Sequence, residues 1–342
     1  MTGVQTCALP ISEGSGLNDS IYGKCQAPIR MFLEQRGEQF ERQSVLKDLF
    51  LMGKSENYGD LMTTMTAMSG FEPVGENGAY PLDGMQEGYQ KLLVYDTWKD
   101  SFSISAEMME DSKVMDMKKQ PAAFITSYNR TRELFGAALY GGAISGKDKI
   151  TYKGREFDIK SADGVSMFHT AHPAKVSGDT QANKFSDAFS ADALGKMETA
   201  MHLFRGDNDE ILDVAPDTIL IPEVGGLKKE VFAAIGADKE PTTSNNAFNY
   251  QYGRWNVIVW SYLNQFVDLS EGNAPWILLD SKYNQTYGGA VWNDRVQLAV
   301  RSTVDENTDA NVWRGRSRFN ATFNDWRFAA VGGIDSGTEL PD

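Results

Sequence analysis

The clearest hydrophobic pattern in the chain predicts one long helix over residues 121–143, PAAFITSYNRTRELFGAALYGGA. Apolar and small side chains recur there at three-, four- and seven-residue steps and so share one helical face: Phe124, Tyr128, Phe135, Ala138 and Gly142. A helix of this length spans about 35 Å, the diameter of a small domain. It can act as a spine on which strands pack, although a long core helix in an α/β enzyme would have the same pattern.

The ends and the polar face of this helix can also be predicted. Pro121 suits the first helical turn, where its missing N–H costs nothing. The glycines at 141, 142 and 146 are typical stop signals. Arg130, Arg132 and Glu133 fall largely elsewhere on the helical wheel.

Short helices and strands are predicted after the spine. The predicted helices cover 193–204, capped by Ser190 or Asp192, and 227–235. The predicted strands are a hairpin over 149–160 with the turn Lys153-Gly154, strands at 217–222, 254–262 and 276–280, and strands over 296–331 broken by the acidic turn 305–307. Residues 161–184 read as loop.

The chain before the spine has a different character. Residues 29–52 predict two short helices or one kinked helix, interrupted at Gly37. Residues 71–90 combine glycine, proline and acidic residues, which is typical of an extended loop, and the β-rich stretch 91–105 predicts a strand. Together these stretches predict a long hairpin that projects from the body of the protein.

Residues 1–12, MTGVQTCALPIS, do not fit the chain that they precede. The run TCALPIS is too short and too weakly basic at its start for a signal peptide. It resembles translated sequencing-adapter read-through. We therefore expect a non-native segment, with the true N-terminus missing and Cys7 not native.

Composition narrows the function classes. The 342 residues allow about two domains and a sizeable core. The formal net charge of −14 argues against a protein that grips nucleic acid through a basic face. Two cysteines, Cys7 and Cys25, make a disulfide scaffold an unlikely basis for the fold. No apolar run approaches the length of a membrane span.

The strongest candidate for chemistry is the H-x-x-H pair His169 and His172. Such a pair can bind a metal on a helix, and with a carboxylate such as Asp179 it would suit a metal-dependent hydrolase. Pro173 and the neighbouring glycine and serine place the pair in a loop, and no glutamate stands between the histidines. A structural turn is the favoured interpretation, so neither a metal nor a catalytic residue is expected.

Other motifs are weak. Arg205-Gly206-Asp207 is a tripeptide that arises often by chance, and residues 207–210 imitate the start of a calcium loop without its later ligands. A solvated turn explains both. The chain has no G-x-S-x-G, phosphate-loop or G-x-G-x-x-G pattern.

Long stretches of the chain resemble the major head subunit of Mu-like tailed bacteriophages and prophages. The similar stretches follow the family order from about residue 20 to residue 335. They include GFEPVGENGAYPLDGMQEGY, TWKDSFSISAEMMEDS, QPAAFITSYNRTRELFGAALYGGAI, FHTAHP, DVAPDTILIP, FNYQYGRWNVIVW, APWILLDSKYNQTYGGAVW and ENTDANVWRGRSRFNATFNDWRFAAVGG. In this family the FHTAHP turn has no catalytic role.

The resemblance implies an α+β fold of the Hong Kong 97 capsid type. It assigns 13–66 to an N-terminal arm, 67–104 to a projecting E-loop hairpin and 105–185 to a P domain with the spine at 121–143. It assigns 186–292 to an A domain and 293–342 to returning P-domain strands and a tail.

The implied function is structural. Copies would assemble as pentamers and hexamers into an icosahedral virion shell in the bacterial host cytoplasm, enclosing double-stranded DNA without sequence-specific binding. Scaffold, maturation protease, portal and decoration proteins are implied partners, with no cofactor and no membrane. The expected intersubunit contacts lie near the tip of the E-loop, at Glu76, Asn77, Tyr80, Asp83, Met85 and Tyr89.

Overall fold

The structure is a computed structural model. It describes residues 35–37, 40, 43–65, 73, 87–105, 107, 114–236, 248–269, 274–305 and 307–341. The predictions for residues 1–12, for both cysteines and for most of the E-loop tip lie outside these residues.

Five α-helices and fourteen strands are assigned within the described residues. The helices are α1 Leu46–Leu49, α2 Val114–Ile144, α3 Ala191–His202, α4 Gly225–Ile235 and α5 Ser281–Tyr287, with a 3-10 helix at Ser261–Gln265. The strands are β1 Leu51–Lys54, β2 Gly59–Met65, β3 Glu87–Val94, β4 Asp96–Ile104, β5 Lys149–Tyr152, β6 Arg155–Asp158, β7 His172–Pro173, β8 Thr180–Gln181, β9 Thr218–Pro222, β10 Asn256–Trp260, β11 Trp276–Leu279, β12 Ala290–Val304, β13 Asn311–Phe323 and β14 Ala329–Gly332.

The strands form two four-stranded sheets and three two-stranded ladders. The sheets have the orders β1-β12-β13-β4 and β10-β9-β11-β14, and the ladders are β2-β3, β5-β6 and β7-β8. β9 and β10 are parallel, whereas β11 runs antiparallel to both β9 and β14. The long helix α2 and the separate sheets together make an α+β fold.

The chain divides into two compact units, each with its own core. The first consists of residues 1–44, 95–133 and 294–319, and the second of residues 45–94, 134–293 and 320–342. In the first unit, Ile104, Phe124, Ile125 and Trp313 form the buried cluster. In the second unit, aromatic and aliphatic side chains around Phe135 fill the interior, among them Tyr140, Trp292 and Phe323.

The predicted spine is confirmed as α2, and its apolar face is buried. Phe135 is fully buried, and its ring meets the rings of Phe157 and Trp292 edge-on at 4.8 and 5.7 Å between centroids. The predicted start was wrong, because the helix begins at Val114 and Pro121 lies inside it. Proline has no N–H, so one backbone hydrogen bond of the helix is missing there.

Two of the predicted stop glycines have a different role. Gly141 and Gly142 lie within α2, where elements of the second unit pack directly against the helix backbone. A Cβ on Gly142 would lie 2.3 Å from Cγ2 of Ile150, and one on Gly141 would lie 2.3 Å from Cβ of Phe266. Only Gly146, with φ of 68°, follows the end of the helix as predicted.

Arg132 is buried, although it falls largely off the apolar face of the helix. Its Nη2 donates to Oδ2 of Asp294 at 3.0 Å, and its guanidinium lies 5.4 Å from the centre of the Phe319 ring. A buried cation needs a counter-charge and hydrogen-bond acceptors. Asp294, far away in sequence, supplies the counter-charge, and no local pattern reveals it.

Most of the later elements agree with the prediction. The hairpin β5-β6, β9, α4 and β11 form where the pattern placed them, and the side chain of Ser190 caps α3 by accepting from the N–H of Ala193 at 3.0 Å. The helix predicted over residues 29–52 was wrong at its end, because residues 51–52 belong to β1. Helix α5 was not predicted. None of the described helices is both long and apolar enough to cross a membrane.

Candidate functional sites: the hairpin and the histidine turn

The β2-β3 ladder carries an exposed apolar pair. Leu61 lies directly opposite Leu92, and the two side chains are 61% and 59% exposed. Leu93, the next residue along β3, is 3% exposed, because successive side chains of a strand point to opposite faces. One face of the ladder therefore packs against the rest of the second unit, while the other face leaves the pair Leu61 and Leu92 uncovered.

Thr64 holds the two strands together at a bulge. Its Oγ1 accepts a hydrogen bond from the N–H of Tyr89 at 2.8 Å and donates to the Tyr89 carbonyl at 3.2 Å. A Cβ at Gly88 would lie 2.2 Å from this Oγ1, so the contact requires glycine. The register shifts between Thr63 and Met65. These contacts fix the pairing at the end of the described ladder.

Two lysines connect the ladder to other parts of the second unit. Nζ of Lys175 donates to the carbonyl of Gly88 at 2.7 Å and lies 5.7 Å from the centre of the Tyr89 ring. Nζ of Lys91 donates to the carbonyl of Lys160, and Asp158 is 3.8 Å away. Burial lowers the pKa of Lys91 to about 8, with Asp158 opposing this shift. The described ladder is thus held to the rest of the second unit by polar contacts.

Of the six predicted intersubunit residues, only Tyr89 lies among the described residues. It stands on β3, is half-buried and pairs through its backbone with Thr64, so it belongs to the stem of the hairpin. Glu76, Asn77, Tyr80, Asp83 and Met85 lie outside the described residues. The exposed pair Leu61 and Leu92 was not selected from the sequence, because neither residue stands out from other aliphatic positions in a strand.

The histidine turn is a buried hydrogen-bonded cluster. Nδ1 of His172 lies 2.6 Å from Oδ2 of Asp163, and Nε2 lies 3.1 Å from Oδ1 of Asn183. The amide of Asn183 donates to the carbonyls of Met167 and Ala329 at 2.9 and 3.1 Å, which fixes the orientation of its oxygen. Both ring nitrogens of His172 therefore have an oxygen atom as hydrogen-bond partner.

This arrangement suits a structural role for the histidines. The His172 ring is fully buried and stacks on Trp326 with 4.3 Å between centroids. Nδ1 of His169 accepts from the N–H of Ala171 at 3.1 Å. Asp163, not Asp179, is the carboxylate at His172, and Asp179 is exposed. The described residues contain no group of three or more His, Cys, Asp or Glu side chains placed to hold a metal ion.

In the Arg-Gly-Asp tripeptide Arg205 is exposed but Asp207 is buried, so the prediction of a solvated turn was wrong for Asp207. Asp207 is 2% exposed and accepts from Nη2 of Arg327 at 2.8 Å. Arg327 also donates through Nε to the carbonyl of Arg205 at 2.9 Å. Burial alone would lower the pKa of Arg327, but the two carboxylates Asp325 and Asp207 raise it overall. The carboxylate of Asp207 and the carbonyl of Arg205 are therefore both hydrogen-bonded to Arg327.

Comparison with known proteins identifies the class of protein. A family model described as a phage capsid protein matches residues 94–332. The match covers more than half of the chain, and the chain therefore belongs to the phage capsid protein family. Among curated proteins, none matches this chain.

Several solved structures are similar to this chain at low sequence identity. The capsid of Ralstonia phage GP4 matches with a TM-score of 0.50 and 11% identity, covering 87% of this chain and 92% of that chain. A structure from Mycobacterium phage Patience matches with a TM-score of 0.47 and 12% identity, covering 92% of this chain and 89% of that chain. The holo-SrpI encapsulin complex of Synechococcus elongatus PCC 7942 matches with a TM-score of 0.48 and 10% identity, covering 87% and 88%.

The family and the fold agree with each other. The protein has the α+β capsid fold of the Hong Kong 97 type, with α2 as its long helix. It is a structural major capsid protein of the tailed-phage head shell, a component of the virion, and not an enzyme.

Proposed function

We propose that copies of this chain assemble as pentamers and hexamers into the icosahedral head shell of a Mu-like phage, and that the β2-β3 hairpin makes an essential contact between neighbouring subunits. The Mu-like assignment is supported by the similar sequence stretches in family order. A closed shell of identical subunits requires each subunit to present several complementary surfaces. The hairpin supplies one of them.

The observation that carries this proposal is the uncovered pair Leu61 and Leu92. Two aliphatic side chains opposite each other on a ladder form an apolar patch, and contiguous exposed apolar surface marks an interaction site. The patch lies on a ladder that Lys175 and Lys91 hold in place through hydrogen bonds to backbone carbonyls. A neighbour that covers the patch gains about 25 cal/mol for each Å² of apolar surface removed from water.

The described strands also refine the domain proposal. β2 lies in the stretch that the resemblance assigns to the arm, whereas β4 lies in the stretch assigned to the E-loop and pairs with β13. We assign the hairpin to residues 59–94 and keep the arm, P domain and A domain as proposed. Scaffold, protease, portal and decoration proteins remain proposed partners, as does assembly in the host cytoplasm around DNA that is bound without sequence preference.

A double substitution tests the hairpin contact. Leu61→Ser with Leu92→Ser removes the exposed patch, and the subunit should keep the circular dichroism and melting temperature of the parent. Shell yield, measured by sedimentation velocity, should fall at least about tenfold, because one contact is lost from every copy.

The matched control is the neighbouring buried residue. Leu93→Ser should lower subunit stability by about 2–5 kcal/mol, since Leu93 faces the interior. If the double variant forms shells in the parental yield, the pair is not an intersubunit contact. If the double variant unfolds the isolated subunit, the pair supports the fold and not the assembly.

A further inference from the structure

The four-stranded sheet of the second unit continues beyond its outer strand β14. In the order β10-β9-β11-β14, one side of β14 pairs with β11. On its other side, Phe185 donates its N–H to the carbonyl of Val331 at 2.8 Å, and Val331 donates to the carbonyl of Asn183 at 2.9 Å. Lys184 and Val331 pair as a parallel bridge. Residues 183–185 therefore run alongside β14 as a short added strand.

The other side of this added strand is covered by residues 334–341, which we call the strap. The carbonyl of Lys184 accepts from the N–H of Thr338 at 3.1 Å, and the carbonyl of Thr338 accepts from the N–H of Ser186 at 2.9 Å. These are the hydrogen bonds of a strand added to a sheet edge. We call residues 184–187 the receptor edge.

Two further contacts fix the register of the strap. Oδ2 of Asp187 accepts from the N–H of Leu340 at 2.8 Å, and Leu340 is 6% exposed. A Cβ at Gly337 would lie 2.2 Å from the carbonyl carbon of Phe185, a backbone atom that cannot move aside. The strap therefore needs a glycine at position 337 and an apolar side chain at position 340.

The strap is bound in the way that a peptide ligand is bound. Leu340 is the one buried side chain among its eight residues, all of which the structure describes. An extended peptide that adds a strand to an open edge gains affinity from main-chain hydrogen bonds and specificity from a pocket for a side chain. Five residues of the strap are exposed: Asp335, Ser336, Thr338, Glu339 and Pro341.

The receptor edge is held in place by contacts that do not involve the strap. Phe185 is 4% exposed and pairs through its backbone with β14. Nε1 of Trp276 donates to the carbonyl of Asp187 at 3.1 Å. The side-chain amide of Asn183 donates to two backbone carbonyls at 2.9 and 3.1 Å. The edge should therefore keep its shape when the strap is released.

We propose that the receptor edge is a peptide-binding site whose ligand is the strap, bound in cis in the closed subunit and supplied by a second copy of this chain once the cis strap is released. Release would expose the carbonyl of Lys184 and the N–H of Ser186, and an open edge pairs readily with another chain. Exchange of an identical segment between copies is a low-cost route to association.

The cis strap also acts as an inhibitor of this pairing. A ligand on a short tether has an effective concentration of about millimolar at its site, so a free copy of the same segment competes poorly. The closed strap thus prevents copies from pairing through this edge. The inference does not depend on shell assembly, because the site and its ligand lie within one unit of the chain.

Opening the strap and supplying it again as a peptide tests the inference. Leu340→Asp places a carboxylate at a buried position, which should release the strap while the subunit keeps the circular dichroism of the parent. A fluorescent peptide of the strap sequence should bind this variant at least about tenfold more tightly than the parent, whose site is filled. Anisotropy measures both affinities. Asp187→Ala in the opened variant should weaken peptide binding at least about threefold, because the acceptor for the N–H of residue 340 is lost.

Two further variants control for charge and for the means of opening. Ser336→Asp adds the same charge at an exposed position of the strap, and its peptide affinity should stay within about twofold of the parent. Gly337→Val opens the strap through the clash with the backbone of Phe185, so it should bind the peptide as Leu340→Asp does.

A mixture of two variants tests the exchange between copies. The Leu340→Asp chain has an open site and a damaged strap, whereas a Ser186→Pro chain has an intact strap and a site without the N–H that Thr338 accepts. Both chains carry Leu61→Ser and Leu92→Ser, so that the exposed pair of the hairpin does not contribute. Native mass spectrometry should show a mixed pair that neither chain forms with itself.

Three results would overturn the inference. One is equal peptide affinity of the parent and the opened variants, or no binding by either opened variant up to about 1 mM peptide, the order of the effective concentration in cis. Another is unfolding of both opened variants, because residues 334–341 would then be part of the core. The third is the absence of the mixed pair. Shells that form or fail to form leave each of these measurements unchanged.

Discussion

Nδ1 of His172 lies 2.6 Å from Oδ2 of Asp163, and the two side chains are 0% and 3% exposed. Nε2 of the same ring lies 3.1 Å from the amide oxygen of Asn183, so both ring nitrogens have a buried oxygen as partner. The pair is therefore a buried, hydrogen-bonded link within the turn.

Asp163→Asn should destabilise the subunit by about 3–5 kcal/mol, because it removes one partner of a buried, hydrogen-bonded pair. The matched control is Asp213→Asn, which removes the carboxylate 2.9 Å from the exposed His202 and should cost no more than about 1 kcal/mol. Urea denaturation of dissociated subunits at pH 7 measures both. Equal losses would show that burial of the His172 pair has no special cost.

The same carboxyl group gives a pH dependence. Burial alone would raise the pKa of Asp163, but the hydrogen bond and charge of His172, with Ser161 and the N–H of Val165, lower it overall. A lowered pKa in the folded state stabilises the protein above the ordinary value of about 3.9, and this contribution is lost as pH falls through the folded pKa. The stability difference between the parent and Asp163→Asn should be constant above about pH 5 and shrink below about pH 4.

Gly142→Ala should destabilise the subunit by about 1–3 kcal/mol through overpacking, because the new methyl group would lie 2.3 Å from Ile150 and 2.7 Å from Ile159. Alanine is the better helix former by about 1 kcal/mol, so the sign of the measured change separates the two effects. Gly226→Ala in α4 has no atom within 4 Å of the added methyl group and should be neutral or stabilising. A stabilised Gly142→Ala would contradict the close packing on α2.

Lys91 should make subunit stability rise between about pH 8 and pH 10. Its pKa is about 8 in the folded protein and near 10.4 in an unfolded chain, so over this range the unfolded chain binds more protons. Stability then rises with pH by up to about 1.4 kcal/mol per unit. Lys91→Met should remove this rise, whereas Lys99→Met on an exposed position should keep it. A parallel pH profile for the parent and Lys91→Met would show that Lys91 is not desolvated.

The local hydrophobic pattern predicted where helices lie better than it predicted which distant residues pack against them. The face of α2 from Phe124 to Ala138 follows from helical periodicity, and both side chains are buried. The role of Gly142 could not be predicted in this way, because it depends on the approach of Ile150 from the next hairpin. Likewise, the burial of Arg132 beside Asp294 could not be predicted, because the two residues are far apart in sequence.

The candidate sites likewise combine features that the local sequence predicts with features that depend on the tertiary fold. The sequence predicted that His169 and His172 form a structural turn, but Asp163 and Asn183, which define that turn, are separated from the histidines by loop residues with no periodicity. The hairpin was predicted from composition, and Tyr89 lies on its stem. The exposure of Leu61 and Leu92 depends on which face of the ladder packs inward, and this is a property of the tertiary fold.

The central claim is that this chain builds a shell, and sedimentation velocity combined with negative-stain microscopy of the purified chain tests it most directly. The measurement is made with and without a co-expressed scaffold. The account predicts pentamers, hexamers or closed shells, with loss of shells in the Leu61→Ser, Leu92→Ser variant. A folded chain that stays monomeric at high concentration under every one of these conditions would contradict the account.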